Sequence, residues 1–289
     1  MMMPSWCRSR WVKVVSALLL LAALYFAADW RSVGRVLTTL DPRYFAAALA
    51  LFLPQTLLSA WRWRTLATSI APIRYTEALR HTAIASAWNL IVPSKLGDLS
   101  KAALLPDLNA KQRAAAGGVV VAEKIADVAA LCALILLGVA GEQLKGGVVL
   151  LGLAAMGGGL SERLTRTLYN VRLAPALMFK LGAASLLLWC FHLWQIELFM
   201  QAAGVAVPWQ LAAARLPIAI FAGLLPVSFC GIGTRDAALV WLFADIAPAS
   251  AMAAVGLLTA LRYLAPGAVG IAVLAADSSR VPASAASSR

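Results

Sequence analysis

Three charged residues lie inside a long apolar segment of the sequence. Glu123, Lys124 and Asp127 fall near the middle of the run Ala114–Ala140. Spacings of four and three residues bring their side chains to one side of a helix. Each charge would cost ~2.5–3.5 kcal/mol if it faced lipid. We therefore expect the three residues to face the interior of a helical bundle.

These charges do not balance one another. Two carboxylates around one lysine leave a carboxylate for a further cation, and Lys95 and Arg235 are the candidates. One interpretation is a structural ion cluster that holds neighbouring segments in place. The other is direct handling of a substrate or of protons. The two interpretations are compatible, and both remain open.

Two other apolar stretches, Thr76–Leu105 and Trp209–Phe243, are interrupted rather than continuous. The interrupting residues are Pro93, Gly97, Pro226, Gly231 and Gly233. Proline removes a backbone donor and glycine permits sharp turns. Each stretch is predicted to form a broken, re-entrant helical hairpin. At membrane depth such backbone must be buried in protein or line a wet cavity.

Polar and basic side chains lie in or beside these breaks and are candidate ligands for an anion. They are Lys95, Lys101, Arg235, Asn89 and Arg215. Arginine offers a planar fork of donors that matches phosphate, and lysine offers a compact charge. Glycine amides near a helix start would add donors. The candidate substrate is therefore a lipid with an anionic headgroup.

The acidic residues near these bases allow a competing interpretation. Asp98 pairs with Lys101, and Asp236 pairs with Arg235 or Arg215, so that no base is left for a ligand. Alternatively, the charged residues orient the bases or exchange protons. The residues with this relay or structural role are Asp98, Glu123, Lys124, Asp127 and Asp236.

Composition places these residues in a membrane. Of the 289 residues, 62% are apolar and only 13% are charged, with a mean hydropathy of +0.81. A soluble domain would carry about 25% charged residues. The length is consumed by spans and connections, so we expect no separate soluble catalytic domain. The net charge of +12 is attributed to membrane topology and not to nucleic-acid binding.

The predicted fold is an all-α polytopic membrane protein with about six spanning helices and the two hairpins. The spans are Val14–Ala28, Tyr44–Ala60, Ala114–Ala140, Gly147–Leu160, Ala174–Met200 and Ala249–Ala276. Gly147–Leu160 is short, covering roughly 21 Å of a core about 30 Å thick. After the second span, the segment Trp61–Arg64 is predicted to lie at the headgroup interface.

Basic residues follow an asymmetric distribution that orients the chain. With six spans, the richer set falls on one side, which is assigned to the cytoplasm together with both termini. The two hairpins then enter from opposite sides, as in inverted repeats of transporters. Residues 1–276 are expected to form one transmembrane domain, and 277–289 a short disordered cytoplasmic tail.

Signatures of enzymes and metal sites are not found in the sequence. It has no P-loop, dinucleotide fingerprint, HExxH or nucleophile elbow. His81 and His192 stand alone, and the cysteines have no ligand spacing. We expect neither an enzyme, a metal nor a cofactor.

Three motifs occur in order along the chain: Asn89-x3-Pro93-x3-Gly97-Asp98, then Ala122-Glu123-Lys124-x2-Asp127, then Pro226-x6-Gly233-x-Arg235-Asp236. Over about residues 10–276 the sequence resembles the lysylphosphatidylglycerol synthase transmembrane-region family of flippase-like proteins. The family's second hairpin usually carries Glu where Asp236 stands. The resemblance implies translocation of a polar lipid across the bacterial inner membrane, without the aminoacyl-transferase domain of the larger relatives.

The leading hypothesis is a flippase for a phospholipid or polyprenyl-linked envelope lipid, with Lys95 and Arg235 holding the phosphate and Lys101 in a secondary role. The alternative is a non-transporting membrane partner that recruits or regulates an envelope-lipid or glycosyl-transfer enzyme through its basic loops. A membrane-embedded enzyme using Glu123 and Asp127 comes third. Membrane lipids are the expected partners, and nucleic acid is not.

Overall fold

The computed structural model describes residues 30–140, 174–224 and 233–278, and in these ranges the chain is helical without strands. The helices are α1 (Trp30–Thr38), α2 (Pro42–Ala50), α3 (Phe52–Ala67), α4 (Tyr75–Ile91), α5 (Ser100–Ala103), α6 (Ala110–Ala140), α7 (Pro175–Ala202), α8 (Trp209–Leu224), α9 (Thr234–Leu242) and α10 (Ala249–Ser278). A 3₁₀ segment, Pro93–Leu99, lies between α4 and α5.

Three described helices are long and apolar enough to cross a membrane: Pro42–Ala67, which joins α2 and α3, Pro175–Ala202 and Ala249–Asp277. They contain most of the predicted runs Tyr44–Ala60, Ala174–Met200 and Ala249–Ala276. The prediction of an all-α membrane protein is thereby confirmed. Helix α6 forms over the predicted run Ala114–Ala140 but carries charges along its length.

Two of the predicted spans cannot be compared with the structure, because Val14–Ala28 and Gly147–Leu160 lie outside the described residues. Of the predicted tail 277–289, Asp277 and Ser278 continue helix α10 and Asp277 pairs with Arg80, whereas residues 279–289 lie outside the described residues. The count of six spans, the inverted repeat and the orientation of the termini therefore stay predictions.

Large apolar side chains cover much of the outer surface. Trp241 is 77% exposed, Ile91 68% and Leu53 66%. Scattered exposed apolar residues are normal in any protein, but contiguous patches mark contact with another apolar phase. In helices of this length and hydropathy, that phase is the lipid hydrocarbon.

The first interrupted stretch bends where proline and glycine predict it. Helix α4 ends at Ile91, Pro93 begins the 3₁₀ segment, and α5 follows. A Cβ on Gly97 would lie 2.5 Å from the backbone nitrogen of Asn89. The segment can therefore fold back onto the end of α4 only because residue 97 has no side chain. That this element re-enters the membrane, and from which side, stays a prediction.

The second interrupted stretch forms helices α8 and α9 on either side of residues 225–232. Pro226 and Gly231 lie outside the described residues. Gly233 has φ of +99°, in the left-handed region that favours glycine, and its N–H donates to the Asp236 carboxylate at 3.1 Å. Asp236 thus satisfies a backbone donor at the start of α9.

Packing brings the two stretches to the long helices. Helix α10 packs most extensively on α4 and also contacts α9, and α6 packs between α7 and α8. One apolar core joins α7, α8, α9 and α10, including Phe199, Phe243 and Met252. A second core joins α3, α4, α6 and α7, including Trp63 and Val119. The polar site lies among these helices.

Candidate functional site: a polar cavity between the long helices

A cavity of about 230 Å³ lies among α3, α4, α6, α7 and α10. Its walls come from positions near the middle of the long helices, such as Asp127 in α6, Trp189 in α7 and Arg262 in α10. Helices α7 and α10 are long and apolar enough to cross a membrane, and positions midway along such helices are expected near the middle of the bilayer. Transporters commonly place substrate sites at such depth.

Arg62 of α3 is the centre of an ion network beside this cavity. Its Nη2 lies 2.6 Å from Oε1 of Glu123, and its Nη1 lies 2.5 Å from Oδ1 of Asp127. The same Nη1 donates to the Ser185 hydroxyl of α7 at 2.7 Å. The guanidinium fork therefore links three helices through charge-assisted hydrogen bonds.

Two lysines complete the network from the first interrupted stretch and from α6. Lys101 Nζ lies 2.8 Å from Oε2 of Glu123 and 4.0 Å from Oδ1 of Asp98. Lys124 pairs closely with Asp98 and lies 3.8 Å from Oδ2 of Asp127. Asn89 donates from Nδ2 to Oδ1 of Asp98 at 3.0 Å. Asp98 thereby connects the break after α4 to the middle of α6.

The network is balanced in charge, which answers the question raised by the triad on α6. Three bases, Arg62, Lys101 and Lys124, face three carboxylates, Asp98, Glu123 and Asp127. The expected further cation was Lys95 or Arg235. Among the described residues, the cations that join the triad are Arg62 and Lys101, so the expectation is not met by Arg235 and stays a prediction for Lys95. The Lys95 side chain lies outside the described residues, and Arg235 pairs elsewhere.

Arg62 and Trp63 correct another expectation from the sequence. The segment Trp61–Arg64 was predicted to lie at the headgroup interface. Arg62 and Trp63 are instead buried in the protein, whereas for the exposed residues Trp61 and Arg64 the expectation stays a prediction. Pairing with two carboxylates allows the arginine to lie at depth. A signal was present in the sequence, because Gln55, Ser59 and Arg62 recur at helical spacing and all line the cavity.

An aromatic contact adds to the ion pairs of Lys101. Lys101 Nζ lies 5.4 Å from the centroid of the Trp63 ring, within cation–π range. The Trp63 indole N–H donates to Nδ1 of His81 at 3.2 Å. Lys101 is only 1% exposed, so the structure holds this candidate phosphate ligand within the network.

Arg235 and Asp236 form a second ion group at the junction of α9 and α10. Arg235 Nη2 lies 2.6 Å from Oδ1 of Asp236 and donates to the Gly256 carbonyl at 2.9 Å. Both residues are buried, and neither lines the cavity. A Cβ on Gly256 would lie 2.8 Å from the Asp236 carboxyl carbon. This group fixes the start of α9 against α10.

Arg215 likewise lies outside the cavity. Its Nη1 and Nη2 contact the two carboxylate oxygens of Asp245 at 2.6 and 3.0 Å, and Nη1 also donates to the Leu242 carbonyl. The hydrogen bond from Arg215 lowers the pKa of Asp245 below its usual value. Arg215 therefore joins α8 to the loop that follows α9. Its predicted role as a substrate ligand has no support from this position.

Arg262 lines the cavity and was not identified from the sequence. It lies midway along α10, within the apolar run Ala249–Ala276, and only 8% of it is exposed. An arginine in such a run is costly in lipid, and that cost was the available signal. Among the described residues, no carboxylate lies within ion-pair distance of Arg262, and its buried Nε has no hydrogen-bond partner.

Ligands for a metal ion are not grouped in the part of the chain that the structure describes. No three His, Cys, Asp or Glu side chains there are arranged to hold one. The carboxylates of the cavity are instead engaged by bases. The arrangement can bind charged or polar groups and can shield them from lipid.

The fold and the site together define the class of this protein: a helical membrane protein with a buried polar cavity. The model of the family described as lysylphosphatidylglycerol synthase TM region matches residues 11–161. The chain belongs to this family, which confirms the resemblance inferred from the motifs. The matched region contains Arg62, Asp98, Lys101 and Glu123, whereas Arg235 and Arg262 lie beyond it. No match was found among curated proteins.

Proposed function

We propose that the chain moves a lipid with a polar, anionic headgroup between the leaflets of the bacterial inner membrane. The cavity carries the proposal: a space of about 230 Å³ lined by charged side chains lies midway along helices of spanning length. Burying charge at that depth is costly. A protein that served only as an anchor would have no use for it. Family membership supports a lipid-related membrane function.

The cavity walls suit a headgroup whose acyl chains remain in the bilayer. Hydroxyl, amide and charged groups line the space, and the ion network stays fixed because each of its charges faces an opposite one. A headgroup crossing the bilayer alone would lose its hydration without replacement. The network and the hydroxyls of Ser59, Thr82 and Ser86 would provide replacement contacts.

A cavity-blocking variant tests the proposal. The purified chain is reconstituted in liposomes with a fluorescent phosphatidylglycerol, and dithionite quenching of the outer leaflet measures movement. Ser59→Phe places a ring into the cavity from α3 and should slow movement at least tenfold. Leu57→Phe, on the exposed side of the same helix, should leave the rate unchanged.

Two outcomes would contradict transport through the cavity. Equal rates for wild type and a folded Ser59→Phe chain would place the route elsewhere. No movement of any lipid by the wild-type chain would favour the non-transporting partner of an envelope-lipid or glycosyl-transfer enzyme. Release of a chemically changed lipid would favour the enzyme hypothesis.

A further inference from the structure

Arg262 carries the excess positive charge of the cavity. Among the described lining residues, the cations are Arg62, Lys101, Lys124 and Arg262, and the carboxylates are Asp98, Glu123 and Asp127. The first three cations are matched by the three carboxylates. Arg262 has no matching carboxylate in this set, so the described cavity lining carries one net positive charge when histidine is neutral.

The surroundings of Arg262 offer no substitute for a counter-ion. In the ranges that the structure describes, the charged group that acts on it from α9 is Arg235, which is also positive. Its neighbour Tyr263 and the α7 residues Trp189 and His192 line the same cavity and are not carboxylates. A buried guanidinium with an orphaned Nε, at the wall of a polar cavity, is the arrangement expected of an anion-binding group.

Pro266 deprives the Arg262 carbonyl of its usual helical hydrogen-bond donor. Proline has no N–H, so it cannot donate to the carbonyl four residues earlier, which belongs to Arg262. Pro266 also lines the cavity. The helix α10 therefore presents a cationic donor and a backbone acceptor that lacks its helical partner, both from residue 262.

We propose that Arg262 binds the phosphate of the transported lipid and selects headgroups with a net negative charge. This inference rests on the proposed function and deepens it. The phosphodiester oxygens accept from the guanidinium, and a headgroup hydroxyl donates to the Arg262 carbonyl. A headgroup ammonium is disfavoured, because each carboxylate of the described lining already faces a base.

Binding and movement are measured separately to test this. The chain in detergent is titrated with dihexanoyl phosphatidylglycerol, dihexanoyl phosphatidylethanolamine, glycerol phosphate and inorganic phosphate, with Trp189 at the cavity as a fluorescence reporter. The variants are Arg262→Gln and Arg262→Lys. Arg35→Gln is the control, because Arg35 is an exposed arginine on α1 whose side chain donates to Ser32 and does not line the cavity.

The wild type should bind phosphatidylglycerol at least tenfold more tightly than phosphatidylethanolamine. Arg262→Gln should weaken phosphatidylglycerol binding about tenfold or more, equivalent to ~1.4 kcal/mol. Phosphatidylethanolamine carries the same phosphodiester, so its binding should also weaken, but by less, because the substitution also removes a positive charge that repels its ammonium. Arg262→Lys should retain most of the affinity. If Arg262→Gln fails to fold, Arg262→Lys keeps the charge and serves as the test variant, and a wild type without a preference for phosphatidylglycerol would still overturn the assignment.

Unchanged affinity in Arg262→Gln, or no preference between the two lipids, would overturn the assignment. Inorganic phosphate binding as tightly as the lipid would overturn the lipid as ligand and assign a free-anion site. In liposomes, movement that is equal for both headgroups and insensitive to Arg262→Gln would remove Arg262 while leaving transport intact. Selective, Arg262-dependent binding without any movement would support Arg262 and contradict flipping.

Discussion

Arg62 and Glu123 are 61 positions apart in the chain, yet Nη2 of the arginine lies 2.6 Å from Oε1 of the glutamate. Both side chains are almost completely buried. Lys101 reaches the other carboxylate oxygen of Glu123 at 2.8 Å. Glu123 thereby joins α3, the segment after the first break, and α6 through one carboxylate.

Glu123→Gln should destabilise the chain more than loss of any exposed charge. The amide leaves Arg62 and Lys101 with less negative charge at a buried site, and breaking a buried ion pair costs about 3–5 kcal/mol. The expected result is a clear drop in Tm of the detergent-solubilised protein. Glu77→Gln, which removes an exposed pair with Arg74, is the control and should change Tm little. Equal effects would mean that Glu123 is not central to the network.

Asp98 and Lys124 should be energetically coupled. Their close contact joins the first break to α6, and contacting residues of one network show coupling energies of about 0.5–3 kcal/mol. Stability is measured for Asp98→Asn, Lys124→Gln and the double variant. The double variant should lose less than the sum of the single losses. Additive losses would show that the contact contributes nothing of its own.

Gly256→Ala should loosen the junction of α9 and α10. The new Cβ would lie 2.8 Å from the Asp236 carboxyl carbon, and overpacking of this kind costs about 1–3 kcal/mol. The measurement is again Tm. Gly117→Ala is the matched control, since nothing lies within 4 Å of its added Cβ, and alanine favours a helix over glycine. A stable Gly256→Ala chain would show that α9 can shift without cost.

Gln195→Leu should destabilise the contact between α7 and the preceding helices. Gln195 Nε2 donates to the Ala48 carbonyl at 2.8 Å, and its Oε1 accepts from Gln55 at 3.2 Å. Leaving a buried polar group unpaired costs about 1–3 kcal/mol. Gln55 keeps a longer hydrogen bond to the Phe191 carbonyl at 3.3 Å. Adding Gln55→Leu removes the amide that lost its better acceptor and should recover part of the loss in Tm. No recovery would indicate that packing, not hydrogen bonding, dominates at this position.

The helices and the first break could be predicted because their causes are local. Apolar runs of spanning length, and proline with glycine at 93 and 97, act within a few residues of where they stand. The helix face shared by Glu123 and Asp127 follows in the same way from spacing. None of these predictions depends on knowing the tertiary packing.

The pairing of Arg62 could not be obtained in that way. Helical spacing places Arg62 on one face with Gln55 and Ser59, but which carboxylates it meets depends on how α3 packs against α6. Arg64 instead donates to the Ile73 carbonyl. The sequence shows that Arg262 is an arginine within a long apolar run. That no carboxylate pairs with it among the described residues could be seen only from the packing of α10 on its neighbours.

The ion network around Glu123 also limits which amino-acid substitutions the protein tolerates. A single replacement at position 62, 101 or 123 strands an opposite charge in a buried place, whereas a matched pair of replacements restores neutrality. Paired substitutions at these positions are therefore expected to cost less stability than single ones. Arg262 forms no ion pair with this network among the described residues, so a substitution there would leave none of these charges unpaired.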